Sequence, residues 1–135
     1  MKTNKEDLDL IKKARDFGMR SKKFSRKEIG GVGCALVTSR GNLFFGVNTQ
    51  FDCGLGVCAE HSAIGSMITN SKTEIKTIVA VSSKGKVMPP CGKCRELVRQ
   101  VNKKNANTLV ILSKSKKIKL KELLPNMWQD LFKGK

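Results

Sequence analysis

At 135 residues, 39% apolar and 28% charged, the chain has the size and balance of one globular domain spanning 1–135, which excludes a disordered or fibrous protein. Twenty-seven Lys and Arg against eleven Asp and Glu give a net charge of +16, a field that attracts phosphates at a distance. Zero Tyr and one Trp argue against the aromatic stacking platform of a single-strand binder, so nucleic acid is a possible but disfavoured partner. The acid-bearing start MKTNKEDLDL reads as no signal peptide, and no apolar run is long enough to span a bilayer; a cytoplasmic protein with no membrane partner is expected. Five cysteines are an awkward count for a disulfide framework and read as working thiols.

In chain order, Leu8, Ile11, Ala14 and Phe17 recur at helical spacing over residues 5–20. Gly30 to Gly33 break the chain, and Cys34–Val37 and Leu43–Val47 flank Ser39-Arg40-Gly41-Asn42 as a hairpin. A glycine-bearing loop from Asn48 to Val57 leads to a helix with Ala63, Ile64, Met67 and Ile68 on its pattern, ending near Asn70. Ile75–Val81 is a β-branched run suited to a buried strand. Met88-Pro89-Pro90 must be extended, because each proline biases its predecessor away from the helix. Cys94, Leu97, Val98 and Val101 mark a third helix, Thr108–Leu112 a strand, Lys117–Leu120 a short edge, and Glu122–Leu124 a helical turn closed by Pro125. This order predicts an α/β fold with a mixed sheet of four to five strands, its later strands parallel through helical crossovers.

Chemistry concentrates at two helix starts. Cys58-Ala59-Glu60 opens the second helix and Pro90-Cys91-Gly92-Lys93-Cys94 the third, where unpaired N–H groups and the helix dipole favour thiolate. Cys91 and Cys94, three apart, share the side of one turn, and Cys58 supplies a third sulfur. Three protein ligands leave a position open for catalysis, whereas four close a structural site. Cys34, Cys53 and His61 are the candidates for a fourth ligand, so a basic binding module with a structural zinc stands as one alternative. Glu60, two residues past a ligand, is placed to take a proton from a metal-activated water; as a first-turn acid it would otherwise add only ~0.3–1 kcal/mol to its helix.

The paired motifs Cys58-Ala59-Glu60 and Pro90-Cys91-Gly92-Lys93-Cys94-Arg95, with Gly46-Val47-Asn48 and Glu122-Leu123-Leu124-Pro125, resemble the three-cysteine zinc branch of the cytidine deaminase superfamily. The resemblance implies a three-layer α-β-α sandwich and one zinc ion per chain on Cys58, Cys91 and Cys94. It implies hydrolysis at C4 of a cytosine nucleoside or analogue, with Glu60 protonating N3 and the departing amine, and a place in pyrimidine salvage. By the same resemblance Asn48 contacts the sugar, the backbone at Ala59, Pro89 and Pro90 meets the amide-like edge of the base, and the assembly is a homotetramer. Two departures stand out: Gln50 replaces a glutamate usual at the sugar-binding segment, and His61 replaces an arginine. Arg95, Lys84 and Lys86 are candidates to offset the thiolate charge in that arginine's place. The shortened Asn48–Cys58 segment and the Trp128 ending are similar to blasticidin S deaminases. A cytosine deaminase acting on RNA or single-stranded DNA is the other alternative, motivated by the charge.

Overall fold

The computed structural model describes residues 1–24 and 29–132. Helix α1 (Lys5–Phe24) precedes the hairpin β1 (Ile29–Thr38) and β2 (Leu43–Thr49); α2 (Ala59–Thr69), β3 (Ile75–Ser82) and the two-residue β4 (Val87–Met88) follow. After these come α3 (Gly92–Val101), β5 (Leu109–Ile111), β6 (Lys117–Lys119) and α4 (Leu120–Leu123), with short 3-10 turns at Lys103–Asn107 and Trp128–Phe132. The sheet order is β2-β1-β3-β5-β6, with β4 paired to β3.

Strand alternation sorts the core into two layers of contact. Along β1, Cys34 and Leu36 belong to one cluster while Ala35 and Val37 belong to the other, as the period of two requires. Ala59, Ala63, Ile64 and Met67 of α2 and Val98 of α3 pack on the first face, and Leu10, Ile11 and Ala14 of α1 on the second. The sheet is therefore sandwiched between helices, and the three-layer α/β expectation holds.

Several details correct the sequence reading. Among the described residues the expected four to five strands are six, because β4 adds a short antiparallel pairing, Ala80 with Met88 and Val81 with Val87. Among the described residues only β3 and β5 run parallel, through α3; β6 returns antiparallel to β5, since 112–116 holds no helix and is short enough for a hairpin. The glycines at 30–33 do not break the chain. Gly30 and Gly31 take φ of +81° and +96° inside β1, where the pairing slips between Ile29 and Gly33; positive φ costs glycine little. In α1 the buried stripe is Asp7, Leu10, Ile11 and Ala14, whereas Leu8 is 48% exposed.

Two contacts set the positions of the helices. Gly46 of β2 lies so close to α2 that a Cβ there would collide with the backbone of Ala59, Ser62 and Ala63. On the opposite face the buried Asp7 carboxylate of α1 accepts from Lys117 Nζ of β6 at 2.6 Å and from the Asn4 backbone N–H at 2.8 Å. These two buried charges thereby pair with each other, as burial demands.

Candidate metal centre and active site

Both helix starts are delivered to one place by local structure. The loop after β2 is clamped at its base: Thr49 N–H donates to the Val57 carbonyl at 3.0 Å, and Val57 N–H donates to Thr49 Oγ1 at 3.0 Å. This fixes Cys58, which caps α2 with extended backbone angles (φ −70°, ψ 155°). Cys91 caps α3 in the same way (φ −69°, ψ 170°). The strand β4 steers Pro89 and Pro90 out of the sheet towards it.

The three sulfurs meet. Cys58 Sγ lies 3.9 Å from Cys91 Sγ, and Cys91 Sγ lies 3.6 Å from Cys94 Sγ; all three fall within 4.8 Å of one another. A tetrahedral zinc with sulfur at ~2.3 Å holds its sulfurs ~3.8 Å apart, so the spacing fits that ion. Among the described residues no other Cys, His, Asp or Glu ligand atom joins the cluster. Cys34 is fully buried in β1, Cys53 is exposed on the loop at φ +58°, and His61 stays outside the group. The donor set is thus the open, three-ligand kind, and the structural-zinc alternative lacks its fourth protein ligand.

Electrostatics agree with a cation between the thiols. Burial raises the Cys58 and Cys94 thiols above their ordinary range, and the neighbouring Glu60 charge adds to both. The backbone N–H of Cys94 lowers the Cys91 thiol, helped by that of Lys93. Three sulfurs in this space ionise together only with a metal to neutralise them. Glu60 is buried in the first turn of α2. Burial raises its carboxyl above the usual range, partly offset by its own backbone N–H and the Cys94 thiol.

A pocket of about 580 Å³ opens over the centre, within the usual range for small-molecule sites. Cys58, Ala59, Glu60, Cys91, Asn48, Gln50 and Pro89 line it, which brings most of the sequence candidates together. Asn48 sits near the end of β2 with its Oδ1 accepting from the Val32 N–H at 3.0 Å, so its amide is held in place. Pro90 differs: it is buried below the pocket and its carbonyl accepts from Arg95 Nε at 3.0 Å. Arg95 also donates to the Leu123 carbonyl at 3.3 Å, joining α3 to the end of α4. Lys84 and Lys86 are exposed on the β3–β4 turn, and none of these three cations lines the pocket. The cation that does is Lys93, which the sequence reading passed over although it lies inside the Cys91–Cys94 motif. Phe51 is the one aromatic ring in the lining, too little for a track of stacked bases.

The family model for the cytidine and deoxycytidylate deaminase zinc-binding region matches residues 4–110. The chain belongs to this deaminase family. A blasticidin-S deaminase of Bacillus cereus is 33% identical over 103 residues, covering 70% of this chain and 74% of that protein. A probable cytidine deaminase of Dictyostelium discoideum is 39% identical over 67 residues, and the match spans 48% of this chain and 46% of that relative's length. In three dimensions, cytidine deaminase from Mycobacterium leprae superposes with a TM-score of 0.76 at 25% identity, covering 92% of this chain and all of that one. For this family zinc is the metal that the Cys58, Cys91 and Cys94 cluster fits.

Proposed function

We infer that this chain is a zinc-dependent hydrolase that converts a cytosine nucleoside or analogue to its uracil form with release of ammonia. The observation that carries the reading is the three-sulfur cluster, open on one side and roofed by a pocket that also contains Glu60. Zinc, when bound, supplies the Lewis acidity that makes a water nucleophilic near neutral pH. The residues of the chain do the rest. Glu60, held on α2 beside the ligands, takes one proton from that water and delivers it to N3 of the pyrimidine, then moves the second, from the hydroxyl added at C4, to the leaving amine. Water adds at C4, the C4–N bond breaks, and ammonia departs. Asn48, its carboxamide held through Val32, faces the sugar with Gln50 beside it. The backbone at Ala59 and Pro89 meets the polar edge of the base.

Residues 1–135 serve this reaction as one unit. We propose a cytoplasmic location, which the five free cysteines support because a reducing compartment suits them. We assign a homotetramer with a role in pyrimidine salvage. Leu55 at 72% and Leu131 at 76% exposure, with Trp128 at 54%, are apolar surface of the kind subunits cover. A monomeric mass by light scattering would remove the tetramer.

The reaction is tested by following ammonia from cytidine, deoxycytidine, blasticidin S and single-stranded oligonucleotides at two salt concentrations. Turnover of the free nucleosides is expected. Activity confined to oligonucleotides would transfer the reading to a polynucleotide enzyme, and absence of turnover by zinc-loaded protein would end it.

A further inference from the structure

We propose a second ligand site, at the end of the sheet away from the metal centre, that takes a small molecule with one oxyanion group on an apolar body. A pocket of about 460 Å³ lies between the start of α1, the β1–β2 turn and the beginning of β3, within the usual range for small-molecule sites. Val32 of β1 lines the metal-side pocket and Val37 lines this one, so five steps of extended chain, roughly 16 Å, separate the two.

A local irregularity of β3 builds the site. Alternation should send neighbouring side chains to opposite faces, yet Lys76 and Thr77 both line this pocket. Ile75 and Ile78, three apart, both join the core beneath α2 and α3. The pairing with β1 slips at this point: Val37 faces Thr77 and Thr38 faces Ile75, which leaves Lys76 as the extra residue of a bulge. The bulge sets a cation beside a hydroxyl. Thr77 is 4% exposed, and among the described residues its hydroxyl has no hydrogen-bond partner, whereas buried hydroxyls ordinarily have one. The buried Lys117 ammonium, also in the lining, donates to Asp7 alone and has two further protons to give.

The charges of the lining do not cancel. Lys117 pairs with Asp7 and Lys13 with Asp9. That leaves Arg40 of the β1–β2 turn and Lys76 against Glu6, and among the described residues none of these three is paired. The excess of one positive charge suits one anionic group, and Leu10, Leu43 and Leu109 give apolar wall to the rest of a molecule. On a chain of charge +16 loose surface cations are ordinarily solubility groups. That reading accounts for neither the buried hydroxyl nor the bulge that turns Lys76 beside it.

The test titrates the zinc-loaded full chain with inorganic phosphate, butyrate and butyl phosphate, followed by calorimetry and by NMR shifts of the backbone amides. Saturable binding of one anion per chain is expected, with shifts centred on Ser39, Arg40, Lys76 and Thr77, and with a butyl compound tighter than phosphate alone. Butyrate ahead of butyl phosphate assigns a carboxylate, and the reverse order a phosphoester. Arg40→Gln with Lys76→Gln should weaken binding about tenfold, and Thr77→Val about fivefold, in variants whose melting curves show a kept fold. Lys84→Gln with Lys86→Gln removes two charges from the opposite end of β3 and should change binding little. Binding of none of the three anions would overturn the proposal. So would shifts confined to the metal centre, or equal weakening by the two double variants, since the ion would then be held by the surface charge as a whole. None of these readouts uses turnover, so the result stands apart from the deaminase reading.

Discussion

Glu60 and Cys91 stand within two turns of the same pocket, yet their removal should read out differently. Glu60→Ala leaves all three sulfur ligands in place, so zinc should stay stoichiometric while kcat falls by at least ~10²-fold, the scale of a positioned proton carrier. Cys91→Ala removes a sulfur lying 3.9 and 3.6 Å from its two partners; metal content should fall well below one per chain and thermal stability with it. Metal analysis beside kinetics separates the two, and a Glu60→Ala protein that loses its zinc would strip that residue of its proposed role. Both residues were legible in sequence because each motif is local: three or four neighbouring positions carry the chemistry. Lys93 was not read, because a lysine in a lysine-rich chain gives no signal until the fold turns it into the pocket. Arg95, a candidate counter-charge by its place in the motif, directs its guanidinium to two backbone carbonyls, Pro90 and Leu123, the first of them next to Cys91.

Among the elements, the helix α2 matters most, for it carries both Cys58 at its cap and Glu60 in its first turn. Its distance from the sheet is set where Gly46 leaves no room for a side chain against Ala59, Ser62 and Ala63. Gly46→Val should push α2 outward, costing about 1–3 kcal/mol as overpacking does and lowering zinc occupancy although no ligand is changed. Denaturant melts with and without added zinc would check this, and a variant of unaltered stability and metal content would show that α2 is positioned elsewhere. The helices could be read from periodicity because each buries one face, and β1 and β3 from their apolar runs, because both faces of each are buried. The strand β4 could not, because two residues, Val87 and Met88, are too short to show a period. The direction of β6 was misjudged for a related reason: parallel pairing needs a crossover, and the five residues from Leu112 to Lys116 cannot supply one. The misplacement of Leu8 on the buried stripe of α1 traces to Asp7, a charged residue that enters the interior because Lys117 is there to meet it.

For the molecule as a whole, the fold class was evident from element order, but which elements lie on which edge was not, since strand order depends on contacts remote in sequence. The Asp7–Lys117 pair is the clearest of these, linking positions 110 residues apart. Asp7→Ala should destabilise the protein by about 3–5 kcal/mol by leaving Lys117 buried alone, whereas the double change Asp7→Leu with Lys117→Met should recover most of that loss. Chemical denaturation of the three variants would decide it; equal destabilisation by the single and double changes would mean the pair is not coupled. The same pair bears on biogenesis. While the nascent chain is still emerging, the first helix can be complete long before its partner strand has been translated. Until Lys117 arrives, the Asp7 carboxylate has no counter-ion and docking of that helix would dehydrate it at a loss. The N-terminal helix should therefore settle onto the sheet late, leaving the metal face, assembled from the middle of the chain, as the earlier part to consolidate during synthesis.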